Sequence, residues 1–548
     1  MKQTTISLND HVYGVSTMTK NAKTRSGIPL KAFYEAEGSD NGDLGAPGTY
    51  PYTRGRYART RSGGSWIQRE LSGEGSPTES NELMRYLLEI GQTGVDIIGD
   101  APTMSMMDPD HPLSVPTAGT QGVSACCKQD YLELLDGIPI TETSVSSSIP
   151  AVFTIAGLVH AAKHTNSAPE KLRGSTIQVP LYQEDCSYRI HLPVNFRSRL
   201  SADCVEYCAD KLPRFHVFLE DTYYFSESGL NGVEEMALGF VEIRHLMRLL
   251  ISRGVDVDTF APRIAILLNC SMDFFEEIAK IRATRRLFAR MMRDEFGAKD
   301  ERSQSVVITS HTSGLAMTAQ QPVNNIVRGS LQSLSLVLAG VQAIEISAFD
   351  EALRTPSRES HLVSLRTQQI IDLESGVTKV ADPLGGSYYV EALTDDIEKR
   401  IWDMVQDIER KGDIEDLVDQ GYFKEIFHGV MERQSQNVAS GEEQVVGVNV
   451  HQMPAEEDTM LRDLTDSKFP PCKDHIERIK AYKESRDQGH LQAGLKPILE
   501  ASKTGSGNLL ALTVDAFEAG ATAGEVSGTF RQGCGGVYDP FGQIEAII

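Results

Sequence analysis

The sequence contains few cysteines and no long apolar segment. Its 8 cysteines among 548 residues include no C-x-x-C pair, so neither a zinc ribbon nor a disulfide framework is predicted. No apolar run approaches the ~18 residues that a membrane span requires, and the opening MKQTTISLND lacks the apolar core of a secretory signal. We therefore expect a cytoplasmic protein without a transmembrane segment.

Positively charged residues are also fewer than negatively charged ones. The chain has 53 Lys and Arg residues against 76 Asp and Glu residues, which gives a formal net charge of -23. Nucleic acids and anionic membranes would repel such a chain at long range, so neither is an expected partner. Hydrophobic residues make up 40% of the chain, which is enough for a globular protein with a large core.

One segment contrasts with this acidic background. Residues 49–71, TYPYTRGRYARTRSGGSWIQREL, contain five arginines and no carboxylate before Glu70. A guanidinium group suits phosphate and carboxylate because it donates two parallel hydrogen bonds. The segment is therefore a candidate site for one small anion. The alternative is that some of these arginines dock another chain or face solvent.

Short β-branched runs alternate with long amphipathic stretches along the middle of the chain. We predict strands within residues 93–100, 142–149, 175–181, 216–221, 263–269, 305–311, 341–347 and 377–383. The stretches between them place apolar residues at i, i+3 and i+4, which predicts helices. Eight strand–helix repeats predict an α/β fold, the (β/α)8 TIM barrel.

The barrel is predicted to occupy residues 76–395. Before it, residues 1–75 are rich in Gly, Ser, Thr and Pro, and we expect them to form an extended arm, with a disordered tail as the alternative. After it, residues 396–548 carry mainly helical patterns and are predicted to form a helical C-terminal region.

Two of the predicted strands carry polar side chains on one face. Because strand side chains alternate, one face holds Ser144, Ser146 and Ser148, and another holds Ser305, Thr309 and His311. Barrel interiors are usually packed with Val, Ile and Leu. If these faces point inward, the barrel centre is polar and can be threaded by a ligand. The alternative is that they face the helices, where hydroxyl groups are poor packing material.

Six motifs in one order resemble a single enzyme family. Besides residues 49–71, they are GDAPTMSMMDPDHP (99–112), FAPRIAILLNCSMDFFEEIAKIRATRRL (260–287), TSGLAMTAQQPVNNIVR (312–328), FDEALRTPS (349–357) and ADPLGGSYYVEALT (381–394). From about residue 30 onward the chain resembles the large subunit of the adenosylcobalamin-dependent acyl-CoA mutases. That family includes the methylmalonyl-CoA, isobutyryl-CoA and 2-hydroxyisobutyryl-CoA mutases.

The resemblance implies a barrel that holds an acyl thioester along its axis, with adenosylcobalamin at the carboxyl ends of the strands. The cofactor would supply radical chemistry for a 1,2-shift of the thioester group. The family's D-x-H-x-x-G motif, whose histidine ligates cobalt, does not occur in this sequence, and the nearest imitation is His475 after Asp474. The resemblance therefore implies no metal ligand here and a small cobalamin-binding partner, in a heterotetramer of two large and two small subunits.

The resemblance also assigns roles to individual residues. Tyr223 and Tyr224 match catalytic positions. Substrate-contacting positions are matched by Tyr57, Arg69, Leu71, Thr176, Gln178, Tyr188, Arg263, Thr309, His311 and Gln342. Cofactor-contacting positions are matched by Gly99, Gln121, Glu227, Gly314 and Glu351. For each residue taken alone, a structural role is the alternative.

Several matched positions depart from the family pattern. Tyr224 replaces a histidine that donates to the thioester carbonyl, and Leu71 replaces a tyrosine that wedges against the migrating group. Tyr188 replaces the arginine that pairs with the free carboxylate of methylmalonyl-CoA. An unpaired carboxylate in a dry site is costly, so methylmalonyl-CoA is a poor candidate substrate. Thr309 and His311 are also altered, so we expect a different acyl group, on CoA or on another phosphopantetheine carrier.

Two other functions remain open. The loss of the carbonyl-binding histidine also fits a catalytically retired relative that binds the cobalamin subunit or a ligand and serves assembly or regulation. The strand-end carboxylates Asp100, Glu220 and Asp350 would suit a barrel hydrolase, although the cofactor-side residues that the chain retains argue against it.

Overall fold

The computed structural model describes residues 31, 33–34, 44–58, 65–182, 192–465 and 470–548. The strand segments are β1 (Ile67–Arg69), β2 (Leu71–Ser72), β3 (Gly94–Ile97), β4 (Ser144–Ser147), β5 (Gly174–Gln178), β6 (Phe215–Asp221), β7 (Ile264–Cys270), β8 (Val307–Thr312) and β9 (Ala343–Glu345). They form one parallel sheet in the order β1-β9-β8-β7-β6-β5-β4-β3-β2. Only Glu70 separates β1 from β2, so the two edges of the sheet meet and the sheet closes into a barrel. The predicted α/β barrel is confirmed.

One predicted strand is wrong, and another strand lies where none was predicted. Residues 377–383 contain a short 3-10 helix, Val377–Lys379, and no strand. β1 and β2 together form the remaining strand of the barrel. They lie within the segment that was predicted to be an extended arm. The sequence did not predict this strand because Arg69 and Glu70 are charged. Their hydrogen-bonding and ionic partners come from other strands and helices, which the local sequence does not indicate. Gln368 Nε2, for example, donates to Glu70 Oε1 at 3.1 Å.

Helices alternate with the strands and cover the outside of the barrel. Those before residue 375 are α1 (Pro77–Glu89), α2 (Ala101–Met104), α3 (Lys128–Leu134), α4 (Ala151–His164), α5 (Val194–Lys211), α6 (Tyr223–Glu227), α7 (Gly232–Ser252), α8 (Val257–Phe260), α9 (Phe274–Arg290), α10 (Glu301–Gln304), α11 (Asn325–Ala339) and α12 (Arg358–Leu373). A π-helix, Met291–Glu295, continues α9. Short 3-10 helices also occur at Pro169–Lys171, Ala261–Arg263 and Pro322–Asn324.

The C-terminal region is helical. Its helices are α13 (Tyr388–Glu409), α14 (Ile414–Asp419), α15 (Tyr422–Ser440), α16 (Thr459–Thr465), α17 (Lys473–Ser485), α18 (Gln488–Thr504), α19 (Leu509–Glu518) and α20 (Ala523–Gly533). Helix α13 packs on α7 and α9, and α19 packs on α4 and α5, so this region covers the barrel from outside. In the part of the chain that the structure describes, no helix has both the length and the apolar character to cross a membrane.

The apolar core lies between the strands and the surrounding helices. Ile266, Ile308 and Ile344 are buried in this layer. A second, much smaller apolar cluster is formed by Leu219, Ala265 and Leu267, with Ile177 and Val307 packed against it. Because side chains on a strand alternate, this second cluster marks the face of the sheet that points into the barrel. Most of the space on that inner face is left to polar residues.

Candidate active site

The inner face of the barrel is polar at its centre. The pairing register places Arg69 opposite Glu345, Asp96 opposite Ser146, Ser146 opposite Ser175, and His311 opposite both Asn269 and Glu345. All of these side chains are buried. The prediction that the serine-bearing strand and the Thr309 and His311 strand turn polar faces inward is confirmed.

Two cations and two carboxylates meet in this interior. Arg69 Nη1 lies 3.7 Å from Asp96 Oδ2, and Arg69 Nη2 donates to Ser144 Oγ at 3.2 Å. His311 Nε2 lies 2.8 Å from Glu345 Oε2 and 3.5 Å from Asp96 Oδ2. Burial alone would lower the pKa of His311, but the carboxylates of Glu345 and Asp96 raise it to about 10. The imidazole is therefore protonated at neutral pH.

A glycine makes room for the long side chain of Arg69. A Cβ at Gly94 would lie 2.6 Å from Ile67 Cγ2 and 3.3 Å from Arg69 Nε. Both distances are too short for an ordinary contact, so a larger residue at position 94 would press on Ile67 and on the Arg69 guanidinium group. Gly94 thereby positions Arg69 between Asp96 and Ser144.

Two further carboxylates lie at the carboxyl ends of the strands. Burial, and then the nearby Glu345, raise the pKa of Glu351 to about 8, although the backbone N–H of Ala348 donates to its Oε2 at 2.8 Å. Burial also raises the pKa of Glu227, which accepts from Ser313 Oγ, Asn269 Nδ2 and the N–H of Leu315 at 2.6, 3.0 and 2.7 Å. This end of the barrel is rich in carboxyl groups, and burial favours their protonated form.

The two predicted catalytic tyrosines lie at the same end. They open α6 directly after β6, and both are partly buried. The ring of Tyr223 lies 5.0 Å from that of His311 and 5.4 Å from that of Tyr224. Burial, with the charge of Glu227, raises the pKa of Tyr223 well above its usual value. Tyr223 therefore keeps its proton at neutral pH and can donate a hydrogen bond.

Gly314 brings the predicted cofactor residues close to the tyrosines. It follows β8, and a Cβ there would lie 3.0 Å from Glu227 Oε2 and 3.5 Å from the Tyr223 hydroxyl. The structure thus brings Tyr223, Glu227 and Gly314 together, with Glu351 close to Glu227. Their contact with a cofactor stays a prediction.

The other two predicted cofactor residues belong to the segment that follows β3. Gly99 follows β3, and its N–H donates to Ser148 Oγ at 3.2 Å. A Cβ at Gly99 would lie 2.9 Å from Ile149 Cγ1, so glycine is needed there for packing. Gln121 is exposed. Both residues are on the carboxyl-end side of the sheet, since Gly99 pairs with Val123 just beyond β3.

Three predicted substrate contacts have partners in the barrel wall. Thr176 Oγ1 and Gln178 Nε2 both donate to the carbonyl oxygen of Val217, at 2.9 and 2.6 Å. They alternate along β5 with inward-facing Ser175 and therefore point toward the helices. Gln342 Oε1 accepts from the N–H of Ile308, and its Nε2 donates to Gly340, both at 2.9 Å.

Leu71 and Thr309 face the interior. Leu71 is opposite Asp96 in the register of β2 and β3. Thr309 lies two residues before His311, and its Oγ1 has no hydrogen-bond partner among the described residues. Tyr188, the remaining residue of the altered acyl pocket, lies outside the described residues.

A positively charged cluster lies at the opposite, amino end of the barrel. Arg263 ends the 3-10 helix before β7, and Arg56 donates to the carbonyl oxygen of Ser305 just before β8. Burial, and then the charges of Arg263 and Arg56, lower the pKa of His216 to about 3. Within the described residues, Arg263 Nε and Nη1 have no hydrogen-bond partner.

The other arginines of residues 49–71 have different environments. Arg54 Nε pairs with Asp382 Oδ2 at 2.8 Å, so this guanidinium group already has its anion within the chain. Arg69 lies inside the barrel against Asp96, and Arg59 and Arg61 lie outside the described residues. Tyr57 is exposed beside the guanidinium group of Arg56. Of the three described arginines of this segment, Arg56 alone lies with the positive groups at the amino end of the barrel.

The carboxylates considered for a hydrolase do not converge. Asp100 Oδ1 caps α2 by accepting from the N–H of Thr103 at 2.8 Å. Asp350 Oδ2 pairs with Arg354 Nε at 2.9 Å. Glu220 is opposite Ile266 in the register and so faces the helices. None of these arrangements prepares a carboxylate to activate water.

Sequence reasoning missed Asp96 and Asn269. The signal was present for Asp96, because an acid within the apolar run TGVDIIGD must find a partner if it is buried. Among the described residues, Asp96, His311 and Glu345 also place one ligand atom each within 4.8 Å of one another, as do Cys126, Cys127 and Asp130. Arg69 lies beside Asp96, and the N–H groups of Cys126 and Cys127 donate to Asp130 Oδ2. These contacts account for both groups of side chains without a metal.

Comparison with known proteins gives one consistent family. Residues 23–536 match the family description "Methylmalonyl-CoA mutase". The 2-hydroxyisobutanoyl-CoA mutase large subunit of Aquincola tertiaricarbonis is 33% identical over 499 residues, covering 89% of this chain and 88% of that protein. The methylmalonyl-CoA mutase of Rhizobium meliloti (strain 1021) is 33% identical over 519 residues, covering 93% and 72%.

A third relative is described as a subunit. The methylmalonyl-CoA mutase large subunit of Streptomyces virginiae is 33% identical over 516 residues, covering 92% of this chain and 70% of that protein. Among solved structures, the dihydropteroate synthase of Yersinia pestis covers 55% of this chain with a TM-score of 0.25 and 11% identity. That score carries no argument about function.

Proposed function

Because the chain belongs to the methylmalonyl-CoA mutase family as a large subunit, we propose that it is the substrate-binding subunit of an adenosylcobalamin-dependent isomerase. The reaction is a 1,2-shift of the thioester carbonyl group within an acyl thioester other than methylmalonyl-CoA. One observation supports this most: a buried polar centre inside the barrel, with tyrosines at one end and, at the other, Arg263, whose Nε and Nη1 have no hydrogen-bond partner among the described residues.

The thioester carrier would enter from the amino end. Arg263, which is buried, and Arg56, which is partly buried, offer positive charge to the phosphates of CoA or of another phosphopantetheine, since guanidinium groups bind phosphate well. Strand β7 begins directly after Arg263 and runs seven residues from Ile264 to Cys270, which is roughly 20 Å at the usual rise per residue. An extended pantetheine chain is of that length, so the acyl group would reach Tyr223 and His311.

The chain's own residues would orient the thioester and exclude water. Tyr224 donates its phenol hydrogen to the thioester carbonyl in place of the family histidine. The ring of Tyr223 packs between the rings of Tyr224 and His311. A preorganised donor stabilises charge that develops on the carbonyl as the group moves. Leu71 supplies the apolar wall beside the migrating group.

Residues at the carboxyl end fit the cofactor. The absence of a side chain at Gly314 leaves space beside Tyr223, and Glu227 and Glu351 offer acceptors to the amide groups that edge a corrin. When bound, adenosylcobalamin supplies the radical that removes a hydrogen atom from the substrate. The role of this chain is to hold the acyl group under it and to keep water away.

A small cobalamin-binding subunit would complete the enzyme. Two relatives, from Aquincola tertiaricarbonis and Streptomyces virginiae, are named large subunits. The cobalt-ligating D-x-H-x-x-G motif does not occur in this sequence, so we propose that the partner supplies it, in an assembly of two large and two small subunits.

Reconstitution tests the proposal. The chain, a small subunit with that motif, adenosylcobalamin and a panel of acyl thioesters would be mixed, and cob(II)alamin would be followed by its visible absorbance. We expect cob(II)alamin only in the presence of particular thioesters. Assembly with the small subunit but no cob(II)alamin with any thioester would instead favour the alternative, a retired relative that serves assembly or regulation.

A further inference from the structure

A cavity of about 400 Å³ lies outside the barrel, among the loop after α2, helices α17 and α20 and the C-terminal residues. Sites for small molecules typically have volumes of about 300–1,000 Å³. None of the described residues that line this cavity lies on a barrel strand, so it is separate from the proposed acyl site. We propose that the cavity binds an amphipathic monocarboxylate, whose carboxylate group pairs with Arg531 on α20.

Arg531 is a buried cation without an ion pair. It lines the cavity and is 8% exposed. Its Nε donates to the carbonyl oxygen of Tyr538 at 2.9 Å, and within the described residues the guanidinium group makes no other hydrogen bond and no ion pair. Burial lowers the pKa of Arg531, and the nearby Tyr538 and Asp539 oppose that shift. A buried charge without a close counter-charge is costly, and an anionic ligand would supply one.

Three carboxylates that line the cavity already have cations of their own. Lys483 Nζ lies 2.8 Å from Asp108 Oδ2 and 2.7 Å from Asp110 Oδ1. Glu525 Oε2 accepts from Arg486 Nη1 at 2.7 Å. These contacts leave neither Lys483 nor Arg486 as a free counter-charge, so they do not compete with Arg531 for an anionic ligand.

Asp539 is held by the backbone that follows it. Its two oxygens accept from three N–H groups within residues 541–544, at 2.6 to 3.0 Å. Its Oδ2 also lies 3.4 Å from His111 Nε2, and His111 Nδ1 accepts from the N–H of Leu113. Asp539 therefore closes the C-terminal turn against His111, and its charge reaches Arg531 without forming an ion pair.

The rest of the cavity wall is apolar. Met106, Met107, Phe541, Ile544 and Ile547 line it. Phe541 and Ile544 remain 38% and 39% exposed although they belong to this wall. Removing apolar surface from water is favourable, so the wall suits the alkyl or aryl part of a ligand whose polar group lies at Arg531.

The charges around the cavity limit the ligand to one negative charge. A carboxylate group matches a single guanidinium group in charge and in its two-pronged geometry. A dianion such as a phosphate monoester would bring a second negative charge beside Asp108, Asp110, Glu525 and Asp539, where like charges repel. An ammonium group would lie beside Arg531, and a neutral ligand would leave Arg531 without a counter-charge.

Titration of the full chain with ligands of one shape tests this proposal. We would measure the binding of octanoate, octanamide and octylammonium by isothermal titration at pH 7. We expect octanoate to bind about 10- to 100-fold more tightly than octanamide because hydrogen bonds to charged groups are the stronger ones, and octylammonium to bind more weakly than either. From butanoate to octanoate, affinity should rise about three- to fourfold per methylene group.

Four variants locate the site. Arg531→Gln should lose the preference for octanoate over octanamide, whereas Arg410→Gln, at an exposed position after α13, should retain it. Ile544→Ser changes a side chain that is 39% exposed and should weaken the dependence on chain length. Arg263→Ala should leave octanoate binding unchanged, which separates the cavity from the amino end of the barrel.

The proposal is overturned by equal binding of octanoate and octanamide, or by no saturable binding of octanoate. An unchanged preference in Arg531→Gln, or loss of octanoate binding in Arg263→Ala, would overturn it as well. If Arg531→Gln does not fold, the ligand series and Ile544→Ser still decide the question. No arm of the experiment uses a thioester or cobalamin, so its outcome is independent of the proposed mutase function.

Discussion

The pKa of a histidine is shifted in opposite directions at the two ends of the barrel. At the amino end, burial together with Arg263 and Arg56 lowers the pKa of His216 to about 3. Toward the carboxyl end, Glu345 and Asp96 outweigh burial and raise the pKa of His311 to about 10. Both histidines lie on strands of one sheet, so burial alone does not decide their charge. The charges that other segments of the chain place beside them also contribute.

This polarity organises the proposed site along the barrel axis. Positive groups at the amino end suit the phosphates of a carrier, whereas the carboxyl end holds His311, its carboxylate partners and the two tyrosines. The following substitutions test each end, in order of decreasing expected effect.

Removing the closest counter-charge of His311 should have the largest effect. Glu345→Gln leaves a buried imidazolium with Asp96 alone, and breaking a buried pair typically costs about 3–5 kcal/mol. We expect a loss of unfolding free energy of that order and a lower pKa of His311, measured by urea unfolding and by NMR titration. Glu374→Gln, at an exposed position after α12, is the control. An unchanged pKa of His311 would contradict the pairing.

Removing the hydroxyl of Tyr224 should affect catalysis rather than stability. Tyr224→Phe keeps the ring but removes the donor, and loss of one preorganised donor costs about 2.7–4 kcal/mol in the barrier, or ~10²–10³ in kcat. Turnover by the reconstituted enzyme is the measurement, with Tyr422→Phe on α15 as the matched control. A wild-type kcat would show that Tyr224 only fills space beside Tyr223.

The amino end should respond in substrate affinity. Arg263→Ala removes a charge that we assign to the carrier phosphates, which lie far from the reacting bond. Such a contact acts equally on ground and transition states and is typically worth about 1.5–3 kcal/mol. We expect KM to rise about 10- to 150-fold at little cost in kcat. Arg302→Ala removes a nearby exposed arginine and should change neither, and an unchanged KM for Arg263→Ala would assign Arg263 to structure.

The pH dependence of stability should differ in sign between the two ends. His311 has a raised pKa, so its stabilising contribution is complete below about 6.5 and is lost as pH rises toward about 10. His216 has a lowered pKa, so its neutral form stabilises the fold above about 6.5, and this is lost as pH falls toward about 3. Each group contributes a slope of up to about 1.4 kcal/mol per pH unit.

Two variants separate these slopes in unfolding experiments between pH 5 and 9. His311→Gln should flatten the alkaline limb, to which Glu351 also contributes because its raised pKa near 8 favours folding only while it keeps its proton. His216→Gln should flatten the acid limb alone. His490→Gln, at an exposed position on α18, should alter neither limb, and parallel curves for all three variants would refute the comparison.

Sequence patterns located most of the barrel but failed where charge was involved. The runs around Ser144–Ser147 and Ile264–Cys270 were recognisable because alternation and β-branched residues signal strands directly. The strand at 67–72 was missed because Arg69 and Glu70 resemble loop residues until Asp96 and Gln368 are placed beside them. Residues 377–383 contain Val and Thr, but Gly376, with a φ of 75°, turns the chain into the 3-10 helix Val377–Lys379. The closed barrel also leaves no sheet edge for them to pair with.

The sequence by itself determined the family, the alternating barrel and the polar inner face, because each depends on motifs or on periodicity within short segments. Only the tertiary structure decided which charges meet. Arg54 pairs with Asp382, which is 328 positions away in the sequence. The interior charges Arg69, Asp96, His311 and Glu345 come from four separate strands. Their protonation depends on distances of a few ångströms between segments far apart in the chain, and only closure of the barrel sets those distances.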